Sequence, residues 1–165
     1  MRVLVPLPDH DFDVTEVAVP WKLLTEAGHE VVFATERAGV VPEADPLLLD
    51  GVLFGQLGAE PEPKVFYREL AASSAFRETE AWIDLVVTDY DALLLPGGHA
   101  PRMRQYLGSA VLRHRVREFW ALDRPVAAIC HGVLVLARTT DDDGRSVLAA
   151  RRTTCLPKYL ERSAF

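Results

Sequence analysis

The chain has little of what would mark an exported, membrane-spanning or nucleic-acid-binding protein. It carries two cysteines in 165 residues, Cys130 and Cys155. Two cannot build a disulfide framework, and no CxxC pair suggests a zinc site or a redox dithiol. Reduced thiols in a cytoplasmic setting are the simplest reading. No HxxxH or HxH spacing occurs among the five histidines, so no metal is expected. No apolar run approaches the ~18 residues of a membrane span. The opening Met1-Arg2-Val3-Leu4-Val5-Pro6 stops at proline before a signal-peptide core can form. Positive charge is also short: 18 Lys and Arg against 24 Asp and Glu leave a net charge of −6. An acidic chain is a poor partner for nucleic acid. The one basic cluster, Arg102, Arg104, Arg113, Arg115 and Arg117, reads mainly as a solvated helix face.

What is present is an ordinary globular composition, 49% apolar and 25% charged, long enough for one domain with a real core. Val3 to Leu7 is a short apolar run of strand length. Val14, Val17, Ala18, Trp21 and Leu24 then recur at helical spacing, Gly28 ends that helix, and Val31 to Ala34 is the next strand. Strand, helix and strand with short links predict parallel pairing and a right-handed crossover. Residues 36–88 are less regular and rich in proline. They read as an insertion or cap over one sheet edge, with a helix from Pro63 to Ala72. Regularity returns with a strand at Ala92 to Leu95, a helix at Val111 to Leu122, a strand at Pro125 to Ile129 and a helix at Val133 to Arg138. Asp141 to Gly144 is a turn. Arg151 to Cys155 reads as a strand, and Pro157 to Arg162 as a helical turn. The alternation predicts α/β architecture with a parallel sheet.

The chemistry concentrates at strand ends. In Val126-Ala127-Ala128-Ile129-Cys130-His131-Gly132-Val133 an apolar strand runs straight into a helix with a nucleophile at the corner, the pattern of a nucleophile elbow. A thiol at a helix N-terminus sees aligned N–H groups that favour the thiolate, and His131 stands ready as base. The competing reading is a buried structural cysteine. Leu95-Pro96-Gly97-Gly98-His99 also follows a strand. Its glycines let backbone N–H groups turn toward a substrate oxygen, so Gly98 and His131 are the expected oxyanion donors and His99 lines the mouth. Glu16 has two equal readings: a capping-box partner of Asp13, or a buried carboxyl with a raised pKa that reaches the elbow. Pro20, one turn later, frees the Glu16 carbonyl, so the first helix is expected to be kinked or to start late.

Asp13 to Gly28 with Glu16, Asp89 to His99, and Ala128 to Gly132 together make the chain resemble the PfpI-like intracellular protease superfamily, which shares the class I glutamine amidotransferase-like fold. The resemblance implies one flavodoxin-like three-layer sandwich over residues 1–165, usually dimeric. It implies Cys130 as nucleophile, Glu16 as a protonated acid against its sulfur, and His131 as the base. The glyoxalase III branch adds an acid after the cysteine that orients the histidine. Glu161 fits that place, and so does a plain solvated charge. The chain stops at Phe165, where such a fold would normally continue, so the expectation is an incomplete C-terminal part or a partner chain over the exposed edge.

The resemblance points first to a cofactor-free, glyoxalase III-like conversion of a small reactive carbonyl, methylglyoxal to lactate. Peptidase or amidase chemistry and isocyanide hydration use the same residues. A redox sensor or holdase chaperone is the non-enzymatic alternative, since an exposed thiolate oxidises readily. The base beside Cys130 favours turnover.

Overall fold

The computed structural model describes residues 1–51 and 58–154. β1 (Arg2–Pro6) forms from a run whose Val3, Leu4 and Val5 are all buried, as a strand covered on two faces requires. After β2 (His10–Phe12), α1 (Val14–Glu26) starts on Asp13, whose carboxylate accepts from the N–H groups of Thr15 at 2.8 Å and Glu16 at 3.2 Å. The helix therefore does not start late at Pro20 but runs through it. Burial of Val14, Val17 and Ala18 outweighs the one backbone bond that proline removes.

β3 (Glu30–Thr35) pairs with β1 in parallel, Val3 opposite Val31 and Val5 opposite Phe33. Segment 36–88 holds β4 (Glu43–Ala44), α2 (Pro46–Asp50), α3 (Pro61–Ala72), α4 (Ser74–Arg77) and β5 (Glu80–Ala81). Part of this segment joins the main sheet, because β5 pairs with β3 as its edge strand, while α3 packs on α1. β4 pairs with β2 in a separate two-stranded sheet. Then come β6 (Ala92–Leu95), α5 (Arg104–Gly108), α6 (Ala110–Trp120), β7 (Val126–Ala128) and α7 (Val133–Arg138).

The main sheet has the order β5-β3-β1-β6-β7 and is parallel throughout. The chain steps one way from β1 to β3 and the other way from β6 to β7. Right-handed crossovers then put α1 and α6 on opposite faces, which makes the three-layer, flavodoxin-like sandwich that the sequence implied. The strand order reverses between β1 and β6, the switch point outside whose carboxyl ends open α/β sheets bind ligands.

The arginine cluster is not merely solvated. Arg115 donates to the carbonyls of Trp82 and Ile83 and to Glu118, Arg102 clasps Asp11, and Arg117 pairs with Asp142. A planar guanidinium can make several bonds at once, and Arg115 ties α6 to the carbonyls of Trp82 and Ile83 in this way. No strand forms over the described part of 151–155, since 152–154 carry no regular structure. Their Arg and Thr side chains are exposed and offer no apolar face to bury. β7 is more exposed than the inner strands. An apolar groove of about 460 Å³, lined among others by Val3, Pro20, Leu24, Leu94 and Ala127, lies on the α1 face, away from Cys130.

Candidate functional site

Three strand ends meet at the switch point, and they meet through backbone. The N–H of Ile129 donates to the Leu95 carbonyl at 3.0 Å, and that of Asp13 to the Gly97 carbonyl at 2.9 Å. A Cβ built on Gly97 would lie 2.7 Å from the His131 nitrogen. One on Gly132 would lie 2.1 Å from the Leu95 carbonyl oxygen. Glycine is thus required because two different loops touch.

Cys130 has φ +50°, in the left-handed region that a non-glycine residue rarely adopts. It opens a short 3₁₀ turn, Cys130–Gly132, that feeds α7. This is the sharp strand-to-helix corner of an elbow, with the side chain exposed at the top. The Cys130 Sγ lies 3.4 Å from His131 Nδ1 and 3.5 Å from His99 Nε2. The two imidazoles pack edge to face, with ring centroids 4.5 Å apart. His99, expected only at the mouth, thus stands as close to the sulfur as the adjacent histidine.

Glu16 does not close a capping box. Asp13 caps the helix alone, and Glu16 Oε2 accepts the Gly97 N–H at 2.7 Å. Gly97, expected among the substrate-facing donors, thereby commits its N–H to holding Glu16. Burial raises the Glu16 pKa, and the nearby Asp13 charge adds to this; the Gly97 N–H and the Cys130 and His131 contacts pull it back. The Cys130 thiol is pushed up to about 11, first by burial of its sulfur, then by the Glu16 charge. The backbone N–H of His131 acts the other way. The helix-terminus effect expected to favour the thiolate is therefore outweighed, first by burial and then by the carboxylate that faces the sulfur. The two groups titrate as a pair: a neutral Glu16 favours the thiolate, and an ionised Glu16 favours the thiol.

The pairing of Asp11 with Arg102, read only as part of a solvated basic cluster, has no counterpart in the sequence. Asp11 is buried with φ +74°. It accepts from the Arg102 N–H at 3.0 Å and from its guanidinium Nη2 at 2.7 Å. Its own carbonyl oxygen would lie 2.5 Å from a Cβ on Gly98. The pair fixes the loop that carries Gly98 and His99. No local pattern links residues 91 positions apart, so only the fold reveals it. Glu161 and Cys155 lie outside the described residues.

Glu16→Gln gives a test of this electrostatic account. The fold raises the Glu16 pKa, so it favours the protonated carboxyl and is penalised as pH rises through that raised value. The variant escapes the penalty. It is expected to be more stable than the parent at neutral pH, with the difference vanishing below the ordinary carboxylate range. Its Cys130 thiol should also ionise at lower pH, read as the pH profile of iodoacetamide alkylation. A stability difference that does not change with pH, or an unshifted alkylation profile, would sink the account.

A family model described as ThiJ/PfpI family-like matches residues 7–165. The chain is 28% identical over 173 residues to an uncharacterized protein of Schizosaccharomyces pombe, covering all of this chain and 62% of that one. It is 29% identical over 157 residues to a protein of Pyrococcus abyssi named a deglycase, covering 95% of this chain and 73% of the relative. In shape it matches the crystal structure of glyoxalase III from Candida albicans with a TM-score of 0.74 at 20% identity, over 99% of this chain and 71% of that one. The chain thus spans less than two thirds of the fission-yeast relative's length.

Proposed function

The chain belongs to the ThiJ/PfpI-like family, and from that premise we propose that it is a cysteine-dependent enzyme acting on small reactive carbonyl compounds, converting methylglyoxal to lactate in the manner of glyoxalase III. The observation that carries this reading is Cys130, set on a left-handed corner with its sulfur bracketed by two imidazoles at 3.4 and 3.5 Å. Relatives named deglycases support the broader carbonyl chemistry.

Burial and the Glu16 charge favour the protonated thiol, so attack needs a base within reach. His131 removes the thiol proton as the sulfur adds to the aldehyde carbon, and the resulting alkoxide takes a proton to give a hemithioacetal. The Gly98 and His131 N–H groups face the developing oxyanion. An imidazole then withdraws the C1 hydrogen and the resulting enediol is protonated at C2, leaving a lactoyl thioester. Water hydrolyses the thioester, releasing lactate and returning the proton to sulfur. Methylglyoxal plus water is thereby balanced by lactic acid, with no redox partner. Burial favours the protonated form of Glu16, which in this reading donates to the sulfur as its proton leaves, and Glu161 is the proposed orienting acid for His131.

The expected result is lactate from methylglyoxal without glutathione. In heavy water the product should carry solvent deuterium at C2, because the proton passes through a side chain that exchanges with solvent. No lactate from folded protein removes this substrate, and deuterium-free lactate removes the enediol step. Release of free amine from a methylglyoxal-modified amine, without lactate, would favour the deglycase reading instead.

A further inference from the structure

We propose that Cys130, His99 and His131 form a binding site for a borderline divalent cation such as Zn²⁺, and that occupancy switches the thiol off. Their ligating atoms all lie within 4.8 Å of one another. Zinc takes thiolate sulfur at about 2.3 Å and imidazole nitrogen at about 2.05 Å, which sets a tetrahedral S···N edge of about 3.5 Å. The two S···N separations here are 3.5 and 3.4 Å. One sulfur and two imidazole nitrogens suit Zn²⁺ and exclude Mg²⁺ and Ca²⁺, which require oxygen. Three protein ligands leave the fourth position open to water. The Cys130 side chain is exposed, so an ion has access.

The ligands come from two loops, one after β6 and one after β7, brought together by strand pairing of Leu95 with Ala128. That is why no sequence spacing announces them. Binding exchanges the thiol proton for the metal: Cys–SH and Zn²⁺ give Cys–S–Zn⁺ and a released proton. The thiolate charge is then drawn onto the ion and the facing nitrogen of each imidazole is coordinated, so the sulfur is a weaker nucleophile and neither of those nitrogens can take its proton. The site does not depend on which carbonyl the protein turns over.

The test is direct binding without substrate, in a Cys155→Ser background so that Cys130 is the sole thiol. Zn²⁺ affinity is measured by chelator competition, and Co²⁺ serves as the optical probe. The expected result is one ion per chain, a thiolate-to-cobalt charge-transfer band, and protection of Cys130 from iodoacetamide by Zn²⁺. Loss of groups that merely orient a ligand costs roughly 10–100-fold. His99→Ala should therefore weaken Zn²⁺ by about 100-fold or more, and Cys130→Ala should abolish the band. His114→Ala, remote from the cluster, should change neither. Absence of binding by the folded parent overturns the proposal, as does Zn²⁺ affinity that survives both Cys130→Ala and His99→Ala. Zinc binding without lactate formation leaves this site standing and removes the catalytic reading; the reverse outcome removes only the site.

Discussion

Cys130→Ala is expected to lower kcat/KM for methylglyoxal by about a thousandfold or more while leaving the fold intact. The nucleophile forms the covalent intermediate, so its loss removes the route itself, and what persists is binding and oxyanion stabilisation alone. The side chain is exposed, so alanine leaves no large cavity and stability should stay within about 1 kcal/mol. A companion variant separates strain from chemistry. Cys130 holds φ +50°, a conformation that costs an L-residue roughly 1–2 kcal/mol and glycine almost nothing. Cys130→Gly should therefore be more stable than Cys130→Ala by about 1 kcal/mol, by thermal or urea unfolding, and equally inactive. Equal stability of the two would mean the corner is unstrained. Retained turnover in either would move the chemistry to another group.

The elements that set the scaffold were legible because they are continuous apolar runs or carry a helical repeat. Val3 to Val5, Leu93 to Leu95 and the 3.6-residue repeat of Val14, Val17 and Ala18 carry the signal themselves, and the helix at Val133–Arg138 falls where its apolar run predicts. Two-residue strands carry none. β5 is Glu80–Ala81, whose residues are poor strand formers, and it is a strand because β3 presents an edge. The thiol and the carboxyl were legible as residue types at strand ends. The raised carboxyl of Glu16 was one of its two readings; the rise of Cys130 was not legible, since it depends on how deeply its sulfur sits and where Glu16 points. His99 beside the sulfur and Arg102 on Asp11 are meetings of loops, which the sheet decides and neither loop encodes alone.

That dependence of the site on touching backbones sets the second large effect, at Gly132. An added methyl would sit 2.1 Å from the Leu95 carbonyl oxygen and 2.7 Å from that of Pro96. Both are main-chain atoms at the end of a central strand, so no side-chain rotation relieves the overlap and the elbow must move away from β6. Forced displacement in a packed interior costs typically 1–3 kcal/mol, and here a rigid backbone raises it, so Gly132→Ala should cost about 3 kcal/mol or more. For a chain of this size that is a fall in Tm of roughly 6–12 °C. Activity should fall further than stability accounts for, even well below Tm. The same shift would carry the Cys130 sulfur away from Glu16, fixed on α1, and from His99, fixed on the loop after β6. Gly108→Ala is the matched control, because a Cβ there meets nothing within 4 Å. It is expected to leave both Tm and turnover at parental values. If Gly132→Ala behaves like Gly108→Ala, the two loops do not touch as described, and the alignment of sulfur, carboxyl and imidazoles must be held by something other than this contact.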